Sequence, residues 1–415
     1  MNKEFRKIEL REHEKSNPEV LSLLEYHDLK SALPKATIEF AGGRSGEYYI
    51  NPHSYVGRIR AGKLIVNIKP KLPIDRVMFL VAYSLAGAQW KDLTVDFANA
   101  NNLHEAIAFP FAKFAEKATR QHVLQSYQKQ QEAINGIKGT LRIADQLRRH
   151  MRISPPLEVS YDHLSTDTIE NRLLLAASLK LLRLQQLDVK TTRTLNRLIH
   201  RLPDVARVSF SKQRIPKIPI TRLNNQYEKA LALATLILSD RTIEQGSGDS
   251  QSPGVLLDMA KIFEDFVHSA LMDSLKLNNF SFPKAEKTKL YLDNDQVLRL
   301  KPDFSWWEGQ NCKAIGDIKY KKSISDNKKG EWSDIYQLLA YTTATDLREG
   351  FLIYADTEEN PTPHSHNIMH AHKDLHVETL NLSGDPSKIL QRVIQIAEKI
   401  KTAKNKAKVE LELVS

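Results

Sequence analysis

The chain has 415 residues, 41% of them hydrophobic, which is enough for two or three cored domains and too much for one ordinary domain. Sixty Lys and Arg against fifty Asp and Glu leave a formal charge of +10, which favours a polyanionic partner without separating DNA from RNA. The lone Cys312 excludes an intramolecular disulfide framework and any multi-cysteine zinc site.

The start, MNKEFRKIELREHEKS, is charged throughout and no apolar run is of bilayer length, so the expectation is a cytoplasmic protein with no signal peptide and no membrane segment. Residues 1–101 read as a β-rich domain, with Gly-rich punctuation between short alternating segments. In KLIVNIKPKLP, Leu64, Val66 and Ile68 alternate with polar partners until Pro70 and Pro73 end the strand, and the apolar helix RVMFLVAYSLAGA follows. Residues 102–244 change to helical periods in LHEAIAFPFAKFAEKATRQHVLQSY, TIENRLLLAASLKLLRLQQL and TRTLNRLIHRL, so a mainly helical middle domain is expected. Within it INGIKGTLRIADQLRRH reads as a hairpin or turn entering a helix, and Thr166 to Asn171 as a capped helix start. EQGSGDSQSPG has almost nothing to bury, which places a linker at 245–255.

Residues 256–415 read as helix, strand, strand, strand, helix, strand: the helix around KIFEDFV, two strands joined at Asp293-Asn294-Asp295, then NCKAIGDIKYKK, SDIYQLLAYTTAT and EGFLIYAD. That order is a compact α/β arrangement, closed by the amphipathic helix KILQRVIQIAEKIKTAKNKAKV. The whole chain is therefore expected to be α/β and multidomain.

Chemistry concentrates in the third segment. On a strand from Ala314 to Tyr320, Asp317 and Lys319 share one face, while Gly316, Ile318 and Tyr320 share the other. If Leu298 to Phe304 pairs beside it, Asp303 reaches the same face. Two carboxylates and an ammonium suit phosphodiester hydrolysis: hard oxygen ligands hold Mg2+, and the lysine orients water and offsets developing charge. Without metal the two aspartates raise each other's pKa. Glu264 in KIFEDFV is the candidate third metal-binding carboxylate. Gln337 and Tyr341, four apart on the next helix, are candidates for contact with substrate or water, and Asp334 reads as a helix start.

Each residue also has a structural reading. The trio fits a surface salt-bridge cluster, Glu264 a solvated carboxylate, and Gln337 with Tyr341 helix packing with polar tips. His364, His366, His370, His372 and His376 show no zinc-like spacing and read as part of a Pro-rich loop, while the lysines from Lys399 to Lys408 read as a solvated helix end.

Pro-Asp followed by Asp-x-Lys resembles the PD-(D/E)xK nuclease motif, which is short. More specific is the order of NGIKGTLRIADQLRRH, YDHLSTDTIENRLLLAASLKLL, IFEDFV, DIYQLLAYTTAT and GFLIYAD, which resembles the McrC family from about Val66 to near Tyr354. The resemblance implies a PD-(D/E)xK restriction-endonuclease-like core in 256–415 with Mg2+, or alternatively Mn2+, as cofactor. It further implies the nuclease subunit of a modification-dependent restriction system, cutting double-stranded DNA and docking on a McrB-like AAA+ GTPase hexamer whose GTP hydrolysis it stimulates. The partner would read the methylated base. In keeping with that division, the chain has no G-x-x-x-x-G-K-[ST] phosphate loop. The resemblance directs the ring contact to the N-terminal segment, where Arg44, Arg58, Arg60, Lys69 and Lys71 lie. Gly316 and the pair Trp306-Trp307 depart from the usual residues around the motif. Two other functions stay open on the sequence: a non-cleaving, DNA-binding adaptor of the ring, and a standalone structure-specific nuclease.

Overall fold

The computed structural model describes residues 5–43, 46–87, 103–183, 187–210, 215–216, 218–239, 256–284, 288–321, 329–356 and 363–414. The linker expected at 245–255 and Arg44 lie outside them. Two compact units result, Met1–Ala106 with Gln245–Ser415, and Ile107–Glu244. No helix among the described residues is long and apolar enough to cross a membrane.

In the first unit, alternation in RKIELR buries Ile8 and Leu10 along β1 (Arg6–Arg11). Next come β2 (Glu19–Val20), α1 (Leu23–Ala32), β3 (Thr37–Phe40), β4 (Glu47–Asn51), β5 (Tyr55–Ala61), β6 (Leu64–Lys69) and α2 (Ile74–Ala86). Helix α1 begins with a capping box, Ser22 and Glu25 satisfying each other's backbone N–H. β2, β4 and β3 make a small sheet, while β1 pairs in parallel with β6 and β5 antiparallel with β6.

The second unit opens with α3 (Leu103–Thr119), the boundary falling within this helix. The helical period expected through Tyr127 stops at Thr119. Leu124 is then fixed from both sides, its N–H donating to Tyr227 Oη at 2.9 Å and its carbonyl accepting from Asn171 Nδ2 at 2.8 Å. The chain continues as β7 (Ser126–Ile134), with β8 (Thr140–Leu141), α4 (Ile143–His150) and β9 (Leu157–Ser165). β7 pairs along the whole length of β9, and that long-range pairing overrides the local helical signal. Helices α5 (Ile169–Leu182), α6 (Val189–His200) and α7 (Glu228–Ser239) complete the unit, α5 packing on the other two. Thr168 caps α5, and Arg172 grips Asp167 bidentately at 2.7 and 2.6 Å, which makes the TIENR stretch a structural joint.

The chain then returns to the first unit. β10 (Leu256–Asp258) pairs antiparallel with β5, and α8 (Met259–Ser274) packs on α2, with the Phe266 ring 5.4 Å from Phe79 and 5.3 Å from Tyr83. The N-terminal strands and the C-terminal α/β segment therefore share one compact unit. β11 (Leu290–Tyr291) and β12 (Arg299–Leu300) form a short hairpin. β13 (Phe304–Glu308), β14 (Asn311–Lys319), α9 (Lys329–Ala344), β15 (Glu349–Asp356), β16 (His364–Ile368), β17 (Lys373–Asn381) and α10 (Pro386–Val414) follow. The five-stranded sheet runs β13-β14-β15-β17-β16, parallel at its centre and antiparallel at both edges.

One face of this sheet packs on α9 through Ile315, Leu352, Tyr354, Leu375 and Val377 against Ile335, Leu338 and Tyr341. Residues of opposite parity on β14 serve the other face, where Phe263 of α8 meets Tyr320 at 5.7 Å. The histidines expected in a loop stand largely on strands: His364 and His366 on β16 and His376 on β17, where His376 Nε2 lies 2.8 Å from Glu349. Two lysines of the expected solvated tail are also employed: Lys399 meets the buried Glu378 at 2.6 Å, and Lys404 lies over the Trp306 ring at 4.1 Å while pairing with Glu308.

Candidate active site

Pro302 has no N–H to give to a ladder, and it separates β12 from β13. The expected single strand from Leu298 to Phe304 is thus two pieces. Arg299–Leu300 pairs with β11, and the partner of β14 starts at Phe304, which faces Gly316. Asp303 sits just ahead of that pairing. Its Oδ2 accepts the Ile318 N–H at 2.8 Å, so the aspartate caps the end of the ladder next to Asp317.

Asp317 is 1% exposed, and its Oδ2 forms an ion pair with Lys319 Nζ. Apart from that pair, Asp317 Oδ2 has no hydrogen-bond partner. Burial pushes the Asp303 carboxyl well above its ordinary range, and the charges of Asp317 and Glu264 push it further. Asp317 is also raised, by burial first, although Lys319 and a hydrogen bond with Asp303 pull the other way. Burial pulls Lys319 down, and the neighbouring Asp317, Asp303 and Asp334 outweigh it, so its net shift is upward. At neutral pH the site therefore holds a firmly charged lysine beside two carboxyls that resist being ionised together.

Helix α9 supplies the supports. Lys319 Nζ donates to Gln337 Oε1 at 3.2 Å, Gln337 Nε2 donates to Tyr341 Oη at 2.5 Å, and the Tyr341 hydroxyl donates to the carbonyl of Lys301 at 3.0 Å. This hydrogen-bonded path starts on β14 and ends two residues before Asp303. Four of the six candidate residues named from the sequence, with Lys319 at the centre and Asp317, Gln337 and Tyr341 around it, form one connected network, and Asp303 joins it through Ile318 and Asp317. Glu264 stands apart: its Oε1 takes the Lys261 ammonium at 2.5 Å, and it reaches the pair through its field at Asp303.

Two residues of the site were not singled out in the sequence for it. Asp334 lies within α9, buried, and accepts from the Tyr354 hydroxyl at 2.5 Å while pairing with Lys321 at 2.7 Å. The spacing Asp334 to Gln337, three residues on a helix, and Lys319 to Lys321, two on a strand, were the available signals. On the opposite face, Tyr320 gives its hydroxyl to Glu12, which is fully buried and also accepts the Lys71 N–H at 3.0 Å.

The donor set fits a hard divalent cation. Two buried carboxyls converge, both disfavour ionisation without added positive charge, and one keeps an oxygen with only an ion-pair partner. Mg2+ is commonly held by one or two carboxylates, with waters and substrate phosphate completing its shell. Among the described residues no group of three or more His, Cys, Asp or Glu could hold a metal together, and the carboxyls that converge here are those of Asp303 and Asp317.

A profile of the family described as McrBC 5-methylcytosine restriction system component matches residues 50–355. The Type IV methyl-directed restriction enzyme EcoKMcrBC of Escherichia coli (strain K12) is 21% identical over 355 residues, spanning 79% of this chain and 98% of that protein. A chain in the refined half-complex from a tetradecameric assembly of Thermococcus gammatolerans McrB AAA+ hexamers with bound McrC is 16% identical. The match covers 95% of this chain and 100% of that one, with a TM-score of 0.59, a likeness of fold.

Proposed function

Because the chain belongs to the family of McrBC 5-methylcytosine restriction system components, we propose that it is the DNA-cutting subunit of such a system, a Mg2+-dependent endonuclease of PD-(D/E)xK type working with a McrB-like AAA+ GTPase hexamer. The observation that carries this reading is the convergence of Asp303, Asp317 and Lys319 at one end of the β13–β14 ladder. A non-cleaving adaptor has no need of two carboxyls held against their own repulsion.

Asp303 and Asp317 would hold the cation, Mg2+ or Mn2+, which supplies polarisation of a phosphoryl oxygen and a lowered pKa for water. Lys319, kept protonated by its aspartate neighbours, orients the attacking water and neutralises negative charge as it builds on the phosphoryl oxygens. Gln337 fixes the direction of the lysine, and Tyr341 fixes Gln337 against the backbone at Lys301. Glu264 adds negative potential at Asp303 and favours cation uptake.

The McrC of the Thermococcus gammatolerans assembly is bound to McrB AAA+ hexamers, and we assign this chain the same kind of partner, with stimulation of GTP hydrolysis and with the methylated base read by the partner. Arg58, Arg60, Lys69 and Lys71 of the N-terminal segment are the first places to look for the contact. A second surface is favoured by its exposure: between β7 and β9, Ile137, Ile143, Leu147, Met151 and Ile153 are all exposed among arginines, an apolar set that a monomer gains nothing by showing to water.

The test is plasmid cleavage by the full chain with its partner GTPase and GTP, on methylated and unmethylated DNA, in Mg2+ or in chelator. Cleavage of methylated plasmid that requires Mg2+ is expected. Cutting that persists in excess chelator overturns the metal assignment, and undiminished GTPase stimulation with no cutting at all favours the adaptor.

A further inference from the structure

The contact between Lys319 and Gln337 is one rung of a longer ladder. Asp317 and Lys319 share one face of β14, and Lys321, two residues past the last strand residue, turns its Nζ toward the same helix at Asp334. Asp334, Gln337 and Tyr341 stand at i, i+3 and i+7 on α9, so they share a stripe. Lys319 meets Gln337 at 3.2 Å, and one step further out Lys321 Nζ meets Asp334 Oδ2 at 2.7 Å. The two members of this outer rung differ in surroundings: the Lys321 side chain is 41% exposed, whereas that of Asp334 is 8% exposed and also takes the Tyr354 hydroxyl. A solvent-facing ammonium is thus tethered to a carboxylate that is itself locked in the core.

We propose that Lys321 binds the DNA phosphate adjacent to the scissile one, and that Asp334 is the positioning residue that holds its ammonium in line with Lys319. This rests on the nuclease reading above. Gln337 and Asp334, which hold the two ammoniums, are three apart on α9, with Cβ atoms about 5–6 Å apart, a step comparable with that between successive phosphates of one nucleic-acid strand. Lys319 and Lys321 can therefore address neighbouring phosphates at once. A lysine is suited to this as a compact charge with three donors, able to share itself between a carboxylate and a phosphate oxygen.

The experiment is binding of a labelled DNA duplex to the full chain in Ca2+ at several salt concentrations, beside steady-state cleavage in Mg2+ with the partner and GTP. Lys321→Gln is expected to reduce the slope of log K against log salt by about 0.9, the loss of one phosphate contact. It should also raise KM severalfold with kcat little changed. Lys321→Arg should retain the slope. Asp334→Asn should retain the slope, since the charge remains, and raise KM. A Lys321→Gln protein of normal Tm whose salt slope and KM match wild type overturns the proposal, as does a KM rise in Lys321→Gln with no change of slope, which marks the pair as purely structural. Should wild type itself neither bind nor cut DNA, the nuclease reading fails first, and the two failures are told apart.

Discussion

Gly316 stands opposite Phe304 in the β13–β14 ladder, and a Cβ at position 316 would come 2.2 Å from the Phe304 ring and 2.4 Å from the carbonyl oxygen of Phe351. The glycine that looked out of place before the motif aspartate is what lets that ring lie flat across the strand, stacked on Phe282 at 5.7 Å. Because Phe304 follows Asp303 and Gly316 precedes Asp317, this close approach also sets the distance between the two acids. Gly316→Ala is expected to cost about 1–3 kcal/mol by overpacking, read by denaturant unfolding. The surviving folded fraction should cut poorly. An alanine variant of wild-type stability and rate would show that the ladder relaxes freely here.

Substitutions in the trio should separate cutting from ring binding. Asp317→Ala, Asp303→Asn and Lys319→Ala are each expected to abolish cleavage while leaving GTPase stimulation intact. Lys319→Arg should fail as well, because a planar guanidinium does not fit a space shaped for an ammonium between Asp317 and Gln337. Gln337→Ala, which frees the lysine and removes the donor to Tyr341, should lower the rate by about 10–100-fold, as losses of supporting hydrogen bonds at metal sites commonly do. Plasmid cleavage and GTP turnover measured on the same preparations decide the matter.

Cation uptake should release a proton. Asp303 and Asp317 are both raised in the folded protein, chiefly by burial, so the free site carries a proton that a bound cation displaces. The affinity for Mg2+ should therefore weaken as pH falls below the raised Asp303 value, by up to about tenfold per pH unit. Calorimetric titration in two buffers of different ionisation enthalpy counts the proton directly. Asp303→Asn should remove the release; a titration with no buffer dependence in wild type would exclude this linkage.

Stability should also carry a signature of Glu12. Burial, opposed by the Lys71 N–H and the Tyr320 hydroxyl, raises this carboxyl from 4.5 to about 7. The folded state then binds more protons at Glu12 than the unfolded one between those values, so the contribution of Glu12 to stability is fully present below about 4.5 and is lost as pH rises through about 7. The span corresponds to something on the order of 3 kcal/mol. Glu12→Gln, which keeps the shape and removes the charge, should flatten this part of the pH–stability profile and be the more stable protein at pH 8. A mutant profile that still falls through the same window would assign the slope to another group.

The local periods carried much of this architecture. The two-residue repeat of β14 places Asp317 with Lys319 and sets Tyr320 on the other face, and the four-residue spacing of Gln337 and Tyr341 on α9 is legible for the same reason. What the sequence did not reveal has a common cause: it depends on residues distant in the chain. SYQKQQEAI has no apolar alternation because β7 is nearly all exposed, and only its pairing with β9 makes it a strand. Asp334 resembles a helix start until Tyr354 and Lys321 are seen to converge on it. Glu12 reads as one more charge in a charged segment, and nothing near it in the sequence announces Tyr320. The strand break at Pro302 was written locally, in the missing N–H, and is a feature a closer local reading recovers.

The pairing of β5 with β10 bears on how the chain is made. As the ribosome delivers residues in order, Ile107–Glu244 can close on itself while Met1–Ala106 still lacks the strand and helix that complete its unit. The N-terminal sheet must wait with an open edge at β5, and the apolar face of α2 stays uncovered until α8 emerges. The carboxyl pair can assemble only after that, so a nascent or prematurely ended chain lacks the converged Asp303 and Asp317. Removing residues 1–101 should recreate the waiting partner in reverse, leaving α8 and β10 without their cover and the remainder prone to aggregate.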